Sequence, residues 1–162
     1  MTREEAHSIA RGYQNKVDGY RSSIKNKENT ISDKKVEKKN LEERKRDVEK
    51  VIKKLLNVDD EIQMVNQQAE KAETSYKKAI ISKDIKAESI RNAFYTKKVE
   101  SESNTNSALG NLRREINRIE TSIETIEKEI RNLKNSVEIL KREMENAQNS
   151  ANHYFALARS LN

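Results

Sequence analysis

Few side chains in this 162-residue chain have the type and spacing for chemistry. His7 and His153 are the groups whose ordinary titration falls near neutral pH, yet each stands alone and reads as a surface or seam-edge residue. Asp59 and Asp60 form an acidic pair, which at a helix start caps backbone N–H groups and suits that role better than metal ligation. There is no glycine-rich phosphate loop. With no cysteine, there is no disulfide framework and no thiolate metal site. These readings predict no catalytic residue, no metal and no cofactor. The aromatic side chains are the remaining candidates, and their chemistry is contact rather than catalysis: Tyr13, Tyr20, Tyr76, Phe94, Tyr95, Tyr154 and Phe155.

The elements that must carry these residues are helices. From Leu109 the apolar residues step by three and four without a miss: Leu109, Leu112, Ile116, Ile119, Ile123, Ile126, Ile130, Leu133, Val137, Leu140, Met144, Ala147, Ala151, Tyr154, Ala158 and Leu161. A repeat averaging about 3.5 residues keeps one narrow stripe facing a partner helix, the signature of a coiled-coil strand. The N-terminal half carries a second, weaker series. One seam position falls at Ala6, Tyr13, Tyr20, Lys27, Lys34, Leu41, Val48, Leu55, Ile62, Ala69 and Tyr76. The other falls at Ala10, Val17, Ile24, Ile31, Lys38, Lys45, Ile52, Asp59, Asn66 and Glu73. The seam lysines are either a local weakness or a device that fixes register and partner, with their stems covering apolar surface. Gly12-Tyr13 recurs one heptad later as Gly19-Tyr20, which implies close approach of another backbone or a frayed first segment.

Composition agrees with an all-α chain built around a thin seam. Only 33% of residues are hydrophobic and 37% are charged, with no proline, against about 45–50% apolar for a compact globule. The net charge of +6 is diluted by alternating signs, as in Glu42-Glu43-Arg44-Lys45-Arg46-Asp47, so it reads as a solvated, salt-bridged face and not a nucleic-acid or membrane-surface patch. No apolar run approaches the ~20 residues of a membrane span. The start of the sequence lacks the apolar core of a secretory signal peptide, which predicts residence in the cytoplasm or export with a partner by a route that needs no such peptide.

Three stretches could reverse the chain: Asn57–Asp60, Ser82-Lys83-Asp84 at the midpoint with Ser82 as a helix cap, and the polar run Ser101–Ser107. Turning near Ser82 gathers Tyr13, Tyr20, Tyr154 and Phe155 at one end, with His7 and His153, and places Tyr76, Phe94 and Tyr95 near the tip. The expectation is one elongated domain, 1–162: a long antiparallel coiled-coil hairpin with arms over about 2–81 and 84–161, each on the order of 110 Å. The alternative is an elongated three-helix bundle with turns near Asp59 and Ser103.

Phe94 and Tyr95 are two large aromatics on a sparsely apolar stretch. They read as a tip cluster with Tyr76 or as a docking point for another protein. Val51 and Leu56 fall outside the narrow stripe, beside the seam residues Ile52 and Leu55, where a third or fourth helix could bury them. These four are the candidate partner-binding residues.

The layout of Val17 to Leu56, of Ile90-Arg91-Asn92-Ala93-Phe94-Tyr95 and of the stripe from Leu109 to Met144 resembles the small helical proteins encoded beside LXG toxins in Gram-positive bacteria. These include the YwqH-like family, and they are similar to WXG-type substrates of type VII secretion. The resemblance implies a helical hairpin that pairs with the helical N-terminal domain of a toxin and helps deliver it to the secretion machine. The chain has no tryptophan, so the W-x-G turn is missing and Phe94 could stand in only for its aromatic. No aromatic is followed four residues later by Asp or Glu, as the secretion motif of that group requires. The resemblance therefore implies that an export signal comes from the partner. The other class of reading is a self-assembling coiled-coil spacer.

Overall fold

The computed structural model describes residues 1–79 and 85–161 and, within them, every side chain except those of residue 73 and of the stretches 75–79 and 85–91. Two helices account for almost all of it: α1, Arg3–Ala79, and α2, Ile85–Ser160. The absence of proline lets each run unbroken. The expected turn at Ser82-Lys83-Asp84 lies outside the described residues. The other two candidate turns do not form. Asn57–Asp60 is interior to α1 and Ser101–Ser107 is interior to α2. The three-helix alternative and the capping role of Asp59-Asp60 are thereby corrected. Polar composition alone does not stop a helix when neither proline nor glycine breaks it. Where α1 does begin, Thr2 and Glu5 form a reciprocal cap. The Glu5 N–H donates to Thr2 Oγ1 at 3.2 Å and the Thr2 N–H donates to Glu5 Oε2 at 2.7 Å.

The helices pair as an antiparallel hairpin, packed as two compact units of similar size. Unit 1 comprises Met1–Leu41 and Ser122–Asn162, and unit 2 comprises Glu42–Thr121. In unit 1, each advance along α1 meets a retreat along α2: Tyr13 stacks on Tyr154, Glu28 pairs with Lys141, Lys34 with Glu129 and Lys38 with Glu127. Its core gathers Ile24, Ile31, Ile126, Ile130 and Val137, flanked by Leu41, Leu133, Leu140 and Met144. Toward the chain termini the seam narrows to Ala6, Ala10, Ala147, Ala151 and Ala158, all buried. In unit 2, Arg44 pairs with Glu115, Lys45 with Glu120 and Glu70 with Lys98.

Burial follows the expected stripe closely. Every described seam position of both series is buried or half-buried, Lys27, Lys34, Lys38 and Lys45 included. Elsewhere among the described residues of α1, only His7, Gln14 and Glu42 are half-buried. The repeat also continues back from Leu109 through Thr105, which is buried, to half-buried Glu102 and Lys98, so the polar run belongs to the seam. Gly12 and Gly19 are exposed, and a Cβ built at either meets nothing within 4 Å. Neither marks a close approach within this chain, and neither lies in a frayed segment.

Candidate functional site

In unit 1 the helices bring together the aromatic residues of the two termini. The rings of Tyr13 and Tyr154 lie 5.9 Å apart at an interplanar angle of 10°, and His153 packs edge-on against Tyr154 at 5.3 Å. His7 meets Phe155 at 6.0 Å, and Lys16 Nζ lies 5.1 Å from the Tyr13 ring centre. Both histidines thus pack against aromatic rings. Among the described residues, no group of three or more His, Asp or Glu side chains could hold a metal ion. No described helix is long and apolar enough to cross a membrane.

Of the two readings of the seam lysines, a local weakness or a device that fixes register, the ion pairs favour the second at three of the four. Lys34 binds Glu129, Lys38 reaches Glu127 at 2.6 Å and Lys45 reaches Glu120 at 2.7 Å. In each, the stem crosses the seam and the ammonium emerges beside a carboxylate of α2. Hydrogen bonding to Glu129 raises Lys34 above its ordinary pKa, bonding to Glu120 raises Lys45, and in unit 2 bonding to Glu70 raises Lys98. The bond from Lys38, reinforced by its charge, holds Glu127 below the ordinary carboxylate value. Lys27 has no such partner among the described residues.

The four candidate partner-binding residues all lie in unit 2 and all are exposed: Val51 at 50%, Leu56 at 40%, Phe94 at 36% and Tyr95 at 37%. The Phe94 and Tyr95 rings meet edge to face at 6.0 Å. The Tyr76 side chain, the expected third member of a tip cluster, lies outside the described residues. The sequence reading missed Val58, Met64, Val65 and Val99, which are exposed in the same unit. The signal was present, because Val51, Val58 and Val65 recur at heptad spacing immediately before Ile52, Asp59 and Asn66 of the seam.

Lettering the repeat shows that Val51, Val58, Val65 and Phe94 share one face, whereas Leu56 and Val99 stand at e on the other flank of the seam, Met64 at f, and Tyr95 at a. With Ile52, Asp59 and Asn66 at position a of α1, Val51, Val58, Val65 and Ala72 stand at g. With Leu109 at a of α2, Phe94, Ser101, Ala108 and Glu115 stand at g. In an antiparallel pair the two g rows flank the same side of the seam, as the Arg44–Glu115 pair at 2.5 Å shows. From Val51 to Ala72 and from Phe94 to Ala108 this g face carries no charge. Its α1 row is valine and alanine and its α2 row holds Ser101 and Ala108 beside Phe94, and such a face can receive a helix.

In comparisons with known protein families, curated proteins and solved structures, the chain finds no match.

Proposed function

We propose that the chain is a non-enzymatic helical adaptor, a coiled-coil hairpin whose unit 2 takes up helices of another protein. The observation that carries this reading is the gathering of exposed apolar side chains on unit 2, with Phe94, Tyr95, Val51 and Leu56 among them. Exposed large apolar side chains recurring at heptad spacing, as Val51, Val58 and Val65 do, mark a place where a protein meets a partner. Helices dock through apolar anchors at helical spacing and need no cofactor. The resemblance to proteins encoded beside LXG toxins names the partner class to test first, the helical N-terminal domain of such a toxin, and with it a role in type VII secretion.

Co-expression with a toxin gene adjacent to this chain's own gene, followed by affinity purification, tests the reading. Co-purification that is lost in a Phe94→Ala, Tyr95→Ala double variant supports it. No co-purification, with the double variant indistinguishable from the parent, overturns it. The second reading, a self-assembling spacer, is favoured by one observation, the heptad spacing of Val51, Val58 and Val65.

A further inference from the structure

The valine stripe has a symmetry that identifies one occupant. Val51, Val58 and Val65 are evenly spaced about Val58 and exposed by about half: 50%, 47% and 58%. On the flank of α1 away from α2, position c carries Lys54 and Glu61, which are exposed and form no ion pair among the described residues. Reversing the helix about Val58 brings Val51 onto Val65, Val58 onto itself and Lys54 onto the neighbourhood of Glu61. The stripe is therefore complementary to an antiparallel copy of itself in both apolar spacing and charge.

We propose that in the free protein this g face is covered by a second copy of the chain, α1 against α1, about a two-fold axis at Val58. Each Val51 then packs against Val65 of the partner subunit, and each Lys54 pairs with Glu61 of the partner subunit. The axis runs perpendicular to the plane of the two α1 helices, so their c flanks fall on the same side and these charges meet. Such a contact is isologous and closes on itself, giving dimers and no longer polymers. On α2 the g residue level with Val58 is Ala108, small enough to leave room for the incoming helix. The dimer uses the surface assigned above to a helical partner but does not depend on that assignment.

The test uses the full chain. Since it has no cysteine, single cysteines can be placed without background. Sedimentation equilibrium of the unmodified protein should give a dimer. Val58→Cys should cross-link to itself, because a residue on a two-fold axis meets its own copy. Val51→Cys should cross-link only when mixed with Val65→Cys. Lys54→Glu and Glu61→Lys should each weaken the dimer about tenfold, and the double exchange K54E/E61K should restore it. Both sites are exposed, and circular dichroism checks that each variant stays helical. A monomer throughout overturns the proposal, as does self-cross-linking of Val51→Cys, which signals a parallel pair. A double exchange as weak as the single ones overturns it too. A monomer that still captures a helical partner would overturn the dimer alone and leave the adaptor reading standing.

Discussion

The two units are built from the same two helices, yet they invert each other's polarity. Of the thirteen buried apolar residues among those described, all but Leu109 and Ile119 belong to unit 1. The two buried polar residues among those described, Asn66 and Thr105, belong to unit 2. The exposed large apolar residues among those described divide the other way: Met1, Ile9, Val36 and Ile139 in unit 1, and eight in unit 2. Unit 1 satisfies itself. Unit 2 keeps polar groups in its seam and presents apolar ones outside, an arrangement that isolated stability does not favour and that association would. The contrast teaches that one heptad pattern can specify a closed segment and an open one, according to which side chains occupy the inner and outer positions.

The largest expected effect tests that contrast directly. Ile130→Ala in the core of unit 1 should cost about 2–4 kcal/mol in chemical denaturation. Leu55→Ala, at a half-buried seam position of unit 2, should cost about 1–2 kcal/mol. Equal losses would break the distinction between the units.

Next comes a gain. The Asn66 amide nitrogen is buried and has no hydrogen-bond partner among the described residues. An unsatisfied buried donor costs about 1–3 kcal/mol, so Asn66→Leu should raise stability by about 1–2 kcal/mol. A loss would mean that Asn66 is satisfied and that the seam of unit 2 is less strained than its composition implies.

Helix backbone effects should be smaller and equal in both units. Gly12→Ala and Gly19→Ala in unit 1 and Gly110→Ala in unit 2 each fill open space. Each should stabilise by about 0.5–1 kcal/mol in thermal melts. A loss at Gly12 or Gly19 would reveal a contact with another chain there.

The cross-helix ion pairs give a pH signature that is smaller still, because they sit at the seam edge, where solvent reaches and screens them. Glu127 titrates below its ordinary 4.5 in the folded protein, so its contribution is present above that pH and lost as pH falls through the lowered value. Lys34, Lys45 and Lys98 titrate above their ordinary 10.5, so theirs is present below 10.5 and lost as pH rises through the raised values. Melting temperature should therefore be flat near neutrality and fall toward both extremes. Glu127→Gln should remove part of the acid limb and leave the alkaline limb intact. Smallest of all, Glu124→Gln on the exposed face should change stability by a few tenths of a kcal/mol at most.

Much of this architecture is legible in the residues because burial here is one side chain deep. The steps from Leu109 to Leu161 name the buried face of α2, and the weaker series names that of α1, lysines included. Where composition misled, the cause was local. Ser101–Ser107 looks like a break because no apolar residue marks its seam, but Thr105 holds the position and lets the phase run on. Asp59 is a half-buried seam residue, not a cap. Thr2-x-x-Glu5, a recognisable helix start, was available and went unread. Of the candidate surface, Val51 and Leu56 were legible as large apolar residues outside the stripe, and Phe94 and Tyr95 as large aromatics on a sparsely apolar stretch. Val58 and Val65 were equally legible, one residue before Asp59 and Asn66 of the seam, but went unread because those two seam residues are polar and do not draw the eye to the row beside them.

The seam lysines also have a consequence for how the hairpin finds its frame. An apolar stripe that repeats every seven residues cannot tell one alignment from the next, since α2 displaced by a heptad still offers isoleucine, leucine or valine. The charges can. Displacement replaces Glu129 opposite Lys34 with Ser122 or Ser136, and Glu115 opposite Arg44 with Ala108 or Ser122. It also sets Lys38 against Lys134 in one direction, or Lys45 against Arg113 in the other. Like charges in misaligned states raise their energy without touching the native one. Pairs worth little as stabilisers thus act as an addressing code, and a mutation that leaves the folded protein unchanged could still multiply the ways in which it misfolds.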